Sequence, residues 1–192
     1  MSAALCYECL GDGTANDTQC GMCRGAGEFT IAPSTNGVPI TVAIVGCGKS
    51  KLAEPARARD MYTGPLFRAA RAYAEEFDEW RIASARYGLL RPEQIIRPYN
   101  DKLKPKDAPQ WANGIASGIV RELLGCGPYK ILLLAGADYT APIRQAFECG
   151  PFGGRRDENC IEISEPLLGL GLGRRLQWFA KAWQLETPRG TP

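Results

Sequence analysis

The residues best able to do chemistry in this chain include eight cysteines, four of which fall in a repeated pattern. Cys6-Tyr-Glu-Cys9-Leu-Gly-Asp-Gly13 and Cys20-Gly-Met-Cys23-Arg-Gly-Ala-Gly27 share the form C-x-x-C-x-G-x-G. Two residues between cysteines let both sulfurs of one turn face a common point, and the glycines that follow free backbone amides to approach the thiolates. Two such turns supply the tetrahedral four-thiolate set that zinc prefers, with Zn–S bonds of about 2.3 Å. Cys6, Cys9, Cys20 and Cys23 are therefore expected to hold one structural Zn2+, since no coordination position is left for a substrate. The competing reading is a pair of disulfides or free surface thiols. The metal would contact nucleic acid, recruit a protein partner, or simply hold this segment together. Cys126, Cys149 and Cys160 read as buried thiols.

A second set of reactive side chains lies further along. Gly46-Cys47-Gly48-Lys49-Ser50-Lys51 follows an apolar run, as phosphate-binding loops do, and its glycines can present amides to an anion. It is not G-x-x-x-x-G-K-[ST], so it does not mark an ATPase, and a plain turn remains the alternative. Cys47 is a candidate nucleophile beside Lys49, against the ordinary reading of an inert thiol at a strand end. Ser84-Ala-Arg86-Tyr87-Gly88 offers two hydroxyls, a cation and a glycine at which backbone could approach a ligand. Tyr62 or Tyr99 could stack on a base. Asp101 could stabilise an oxocarbenium-like transition state or activate water. Asp138 follows a later apolar run and is a candidate substrate contact.

Composition restricts the chemistry. The 192 residues include no histidine, which excludes Ser–His and Cys–His pairs and His-ligated catalytic metals. A net charge of +2 makes any nucleic-acid surface local. Residues 81–106 are such a place, with seven cations against two carboxylates, and Arg57 and Arg59 add to them. No stretch has the length and apolarity of a membrane helix, and no basic-then-apolar leader opens the chain. The expected location is the cytoplasm of a bacterial or phage-infected cell, where thiols stay reduced.

These residues need elements to position them. Residues 1–29 form the cysteine-rich module, 30–39 a linker, and 40–192 a larger domain. Thr41–Val45, Trp80–Ser84, Lys130–Leu134 and Asn159–Ile163 are expected strands. Helices are expected over about 64–77, 107–124, 140–148 and 173–184, with 86–106 a loop. In the first helix Leu66, Ala69, Ala70, Tyr73 and Phe77 fall on one face. Strands alternating with helices predict an α/β fold, a three-layer α/β/α sandwich with a mainly parallel sheet. Ligands then bind beyond the carboxyl ends of the strands, where Cys47–Lys51, Ser84–Gly88 and Gly136–Asp138 sit. The geometric expectation is that Cys47–Lys51, Ser84–Gly88 and Tyr99–Asp101 converge on one positive cleft.

Two resemblances accompany this reading. The cysteine repeat resembles half of the cysteine-rich region of DnaJ-type chaperones, over about 22 residues. Val45–Lys51, Tyr62-Thr-Gly-Pro-Leu-Phe67, Ser84-Ala-Arg-Tyr-Gly-Leu-Leu-Arg-Pro92, Ile96-Arg-Pro-Tyr99 and Pro166–Gly173 resemble a bacterial and phage domain family of unassigned function. That family in turn is similar to the YaaA-like peroxide-stress proteins, and the likeness spans roughly residues 41–180. It implies the fold and an association with DNA binding and protection from oxidative damage. The leading functional expectation is an enzyme acting on a nucleotide or nucleic-acid base, such as an N-glycosidase. In it, Lys49 and Arg86 hold phosphate. The alternatives are a non-catalytic DNA- or RNA-binding protein and a stress module that recruits a protein partner.

Overall fold

A computed structural model describes residues 3–5, 14–15, 18–19, 28–30, 40–77, 79–123, 129–149 and 161–186. Near the start, β1 (Ala3–Leu5), β2 (Thr14–Ala15), β3 (Thr18–Gln19) and β4 (Glu28–Thr30) form two short antiparallel pairs. Leu5 pairs with Glu28, and Thr14 with Gln19. Thr30, read as linker from sequence, belongs to β4, where it pairs with Ala3. Cys6, Cys9, Cys20 and Cys23 lie outside the described residues.

From residue 40 the chain alternates as expected. The elements in order are β5 (Ile40–Gly46), β6 (Ala56–Arg57), α1 (Ala58–Met61), α2 (Pro65–Ala74), β7 (Glu79–Ser84) and β8 (Gly88–Leu90). Then come β9 (Ile95–Ile96), α3 (Ala108–Leu123), β10 (Tyr129–Leu134), α4 (Ala137–Cys149), β11 (Ile161–Ser164) and α5 (Leu172–Glu186). Five strands make the central sheet in the order β11-β10-β5-β7-β8, parallel throughout except for β8. Its centre is a continuous apolar run because helices cover both faces. Ala43, Val45, Ile82, Leu132 and Leu134 pack beneath α2 and α5. Val42, Ile44, Ala83, Ile131 and Leu133 pack beneath α3 and α4. Consecutive residues of β5 thus serve opposite layers, as the two-residue strand period requires.

The helices form for legible reasons. Ala112, Ile115, Ala116, Ile119 and Val120 give α3 one apolar face at helical spacing. Pro65 opens α2 in the first turn, where its missing N–H costs nothing. The buried face of α2 is Phe67, Ala70, Tyr73 and Ala74. Leu66, Ala69 and Phe77, expected on that face, are only partly buried, so the helix is rotated by about one residue from the sequence reading. Among the described residues, no helix is long and apolar enough to cross a membrane.

The expected loop over 86–106 contains structure. Ser84 turns the chain through Ala85–Tyr87 into β8, its Oγ accepting the amides of Arg86 at 3.3 Å and Tyr87 at 3.1 Å. Gly88 completes the turn at φ +70°, a region where a side chain is strained. β9 pairs with β6 as a separate two-stranded ribbon.

The tightest constraint on the sheet is between β5 and β10. A Cβ on Gly46 would stand 2.7 Å from the Cβ of Ala135, an atom fixed to its own backbone. Gly46→Ala is expected to destabilise the protein by about 1–3 kcal/mol, measured by denaturant unfolding. Gly64→Ala is the control, since no atom lies within 4 Å of a Cβ there.

Candidate functional site

β5 and β10 are neighbours, yet the chain leaves them toward opposite layers, from β5 through α2 and from β10 through α4. Such a switch point opens a crevice beyond the carboxyl ends of the two strands. A cavity of about 370 Å3 lies there, walled by Gly46–Ser50 after β5, the start of α2, Gly136, Asp138 and Tyr139 at the start of α4, and Leu172 and Arg175 of α5. The predicted residues Gly46, Cys47, Gly48, Lys49 and Asp138 all line it. Lys49, Asp138 and Arg175 have no ion-pair partner among the described residues, so the wall carries one net positive charge.

Hydroxyls cluster beside Cys47. Its Sγ is 3.4 Å from the Tyr139 hydroxyl. The Tyr99 hydroxyl shares hydrogen bonds with Ser84 Oγ at 2.7 Å and the Tyr62 hydroxyl at 2.9 Å. The Lys51 ammonium lies 4.2 Å from the centre of the Tyr99 ring and donates to the carbonyl of Gly48 at 3.0 Å. Lys51 therefore folds back to hold its own loop and cover Tyr99. Burial lowers its pKa, an effect that electrostatic attraction to Cys47 and Asp101 partly offsets.

Burial also decides the protonation of the phenols. It pushes Tyr62 up to about 12, with the bond from Tyr99 partly opposing it. Tyr99 and Tyr139 are raised further, first by burial and then by the neighbouring Cys47. At neutral pH all three are neutral hydrogen-bonding groups rather than bases.

Several expected roles change with these positions. Tyr62 is 2% exposed and packs its ring on Phe67 at 4.7 Å, so it cannot stack on a base. Ser84 is fully buried, with its Oγ engaged by Tyr99 and two turn amides, and serves the turn. Arg86, Tyr87 and Gly88 line a different recess, of about 550 Å3, between β8 and α3. That recess is larger but lies at the sheet's antiparallel edge, away from Cys47 and the switch point. Asp101 is paired there with Arg86 at 2.8 Å, both half-exposed, and lines neither hollow. Cys47–Lys51, Ser84 and Tyr99 thus converge, whereas Arg86–Gly88 and Asp101 do not line the cavity.

The basic surplus is smaller than its count. Arg57 and Arg59 pair with Glu93 at 2.9 and 2.7 Å, and Arg59 also pairs with Glu75. Arg81 bonds Glu79 at 2.8 Å, and Arg91 bonds Glu122 at 3.1 Å. Arg97, Lys102, Lys104 and Lys106 remain exposed and have no ion pair among the described residues.

Sequence reasoning missed Tyr139, Leu172 and Arg175. Tyr139 directly follows Asp138, so a helix starting at Ala137 rather than near 140 would have exposed it to notice. Arg175 follows the Leu-Gly-Leu-Gly run, and it reaches the cavity because α5 docks beside α2 with its first turn near Gly136. Among the described residues, no group of three or more Cys, Asp or Glu is arranged to hold a metal.

The profile of DUF6884, a family of unknown function, matches residues 42–181, and the chain belongs to that family. It is 42% identical over 62 residues to the uncharacterized protein YfjM of Bacillus subtilis, covering 29% of this chain and 41% of that protein. It is also 35% identical over 77 residues to a UPF0246 protein of Rhizorhabdus wittichii, covering 36% of this chain and 30% of that one. The second match carries the distant YaaA-like relationship. The chain spans less than half the length of either relative. No solved structure gives a significant match.

The phenol cluster sets an alkaline limit. Tyr62 titrates near 10 when unfolded and at about 12 when folded, so between those values the folded state binds more protons. Its contribution is complete below pH 10 and is lost as pH rises through about 12, with Tyr99 and Tyr139 acting in the same direction. Melting temperature is expected to fall over that window, in step with phenolate absorbance. Tyr99→Phe, which breaks both shared hydrogen bonds, is expected to cost about 1–3 kcal/mol at neutral pH.

Proposed function

We propose that the chain is an enzyme acting on a nucleotide or nucleic-acid base, with phosphate on the Gly46–Ser50 loop and the reacting end toward Asp138 and Tyr139. The observation that carries this reading is the switch-point cavity. Backbone of a glycine-flanked loop, the Lys49 ammonium and the first turn of α4 meet there in a space of about 370 Å3. That volume is at the small end of ligand pockets and suits a single nucleotide unit.

Hydrolysis of an N-glycosidic bond is the reaction this wall supports best. Breaking the C1′–N bond leaves an oxocarbenium-like sugar, which a nearby carboxylate stabilises. Asp138 takes that role in place of Asp101, because Asp138 is the carboxylate on the cavity wall. Water joins C1′ with Asp138 accepting its proton. The Tyr139 hydroxyl hydrogen-bonds to the departing base, which takes up a proton from solvent. Lys49 neutralises phosphate charge, and Cys47 and Tyr99 hold the wall in shape behind it.

A second reading, nucleic-acid binding without catalysis, is favoured by the unpaired Lys102, Lys104 and Lys106. One experiment separates the two: mass spectrometry for released base from nucleotides, DNA and RNA, alongside binding over a salt series. Asp138→Asn is expected to slow release at least about 100-fold while binding changes little. Lys49→Ala is expected to weaken binding about tenfold. Absence of release from every substrate would sink the enzyme. Binding that falls steeply with salt and needs the three lysines would then establish the second reading.

We also propose the structural zinc. Its support is a four-thiolate donor set together with the pairings Leu5–Glu28 and Thr14–Gln19, which join the residues flanking both repeats. Cys6, Cys9, Cys20 and Cys23 would hold the ion, fixing a module able to contact nucleic acid or a protein partner. Elemental analysis of the purified chain is expected to give one zinc per molecule. Cys9→Ser should lower that content; a full complement in this variant is the contrary result.

A further inference from the structure

We infer that Arg175 and Lys49 clamp a terminal phosphate, so that the ligand of the cavity is a phosphomonoester rather than an internal phosphodiester of a polymer. The inference rests on the cavity being the ligand site proposed above and specifies its substrate class.

Arg175 lies in the first turn of α5, half-buried, and lines the cavity together with the β5 loop. Its Nε donates to the carbonyl of Leu170 at 2.7 Å, which orients the guanidinium plane. Nη1 and Nη2 have no hydrogen-bond partner among the described residues. They lie against the backbone of Gly136, where a Cβ would stand 3.2 Å from Nη1 and 3.8 Å from Nη2. Glycine at 136 leaves room for a guanidinium across the start of α4.

Seven of the described arginines pair with carboxylates, whereas Arg68, Arg97, Arg121, Arg174 and Arg175 have no ion pair among the described residues, and of these five Arg175 lines the cavity. It shares the cavity wall with Lys49, and neither is bound to Asp138, the carboxylate on that wall. Two cations lining one small cavity leave it a net positive charge even after Asp138 is counted, which favours an anion there. A fork of two N–H groups matches two phosphate oxygens.

The monoester follows from its free oxygens and its single attachment. A phosphomonoester presents three terminal oxygens, enough for the two N–H groups of the Arg175 fork and the Lys49 ammonium together. A diester presents two, and its chain must continue on both sides of the phosphate.

Calorimetry with the full chain tests the clamp using four probes: nucleoside 5′-monophosphates, the same nucleosides, dinucleoside phosphodiesters and inorganic phosphate. The expected result is monophosphate binding at least about tenfold tighter than nucleoside or diester. Arg175→Ala is expected to weaken monophosphate binding about tenfold to a hundredfold and leave weak nucleoside binding unchanged. Arg175→Lys should restore part of the loss. Gly136→Ala should weaken the same probe by crowding Nη1. Melting temperatures identify any variant that fails to fold, and Arg175→Lys then carries the comparison. Equal affinity for monoester and diester overturns the clamp. So does monophosphate binding indifferent to Arg175, or no binding of any probe by the wild type. Arg175-dependent binding of inorganic phosphate with no gain from the nucleoside leaves the clamp standing and removes the nucleotide reading.

Discussion

Everything at the carboxyl rim depends on how closely β5 and β10 approach where they end. At Gly46 there is no space for a side chain, because Ala135 occupies it. The two strands stay in register to the last residue of β10, Leu134 beside Val45. The loop after β5 and the first turn of α4 then emerge side by side. A parallel pair with a looser ending would separate Cys47 from Tyr139, which now lie 3.4 Å apart. The cavity is thus a consequence of strand packing before it is a feature of any loop.

A second constraint ties the rim together from the other side. The Tyr99 hydroxyl joins Ser84 at the end of β7 to Tyr62 after α1, and Lys51 covers its ring. Ser84 and Tyr62 are buried and Tyr99 is partly so, and an unpaired hydroxyl there would be costly. Their mutual hydrogen bonds tie a chain segment of irregular backbone to the end of β7 and to the residue after α1. This explains how residues 91–107, mostly without regular structure, can present a defined surface. It also explains why Ser84, Tyr62 and Tyr99 looked chemically promising from sequence alone. Hydroxyls near a strand end suit catalysis and suit buried scaffolding equally, and only their partners distinguish the two.

The fold was legible where periodicity was strong. Thr41–Val45 and Lys130–Leu134 are apolar runs with turn formers after them, and α3 shows an unbroken helical spacing. The hairpin into β8 was not legible, because its turn is closed by Ser84 accepting two amides and by one positive φ at Gly88, signals of one residue each. β9 has two residues, and nothing local distinguishes so short a strand from loop. The site was half legible. The Gly46–Lys49 segment and Asp138 follow strands directly, so alternation alone locates them at the rim. Arg86 and Asp101 were misplaced because β8 turns antiparallel and carries Arg86–Gly88 round to another face. Arg175 depends on the docking of α5, which no local pattern encodes.

Charge shows the same limit most clearly. Counting cations along residues 81–106 treats each as available, yet ion pairs form between segments distant in the chain. Glu122, on α3, neutralises Arg91 and lies 3.6 Å from Arg81, while Glu93 neutralises Arg57 and Arg59. Such exposed pairs contribute little to stability, on the order of 0–1 kcal/mol each. Their larger effect is on function, since they withdraw cations from any anionic partner. Two groups among the cations left unpaired stand out: Arg97 and three lysines, exposed within residues 97–106, and Lys49 and Arg175 on the wall of the cavity. An extended polyanion would meet the first group and a small anion the second. The two groups therefore favour different ligands, and the pair on the cavity wall stands on backbone, the β5 loop and the first turn of α5, that the packing of the sheet and its helices positions.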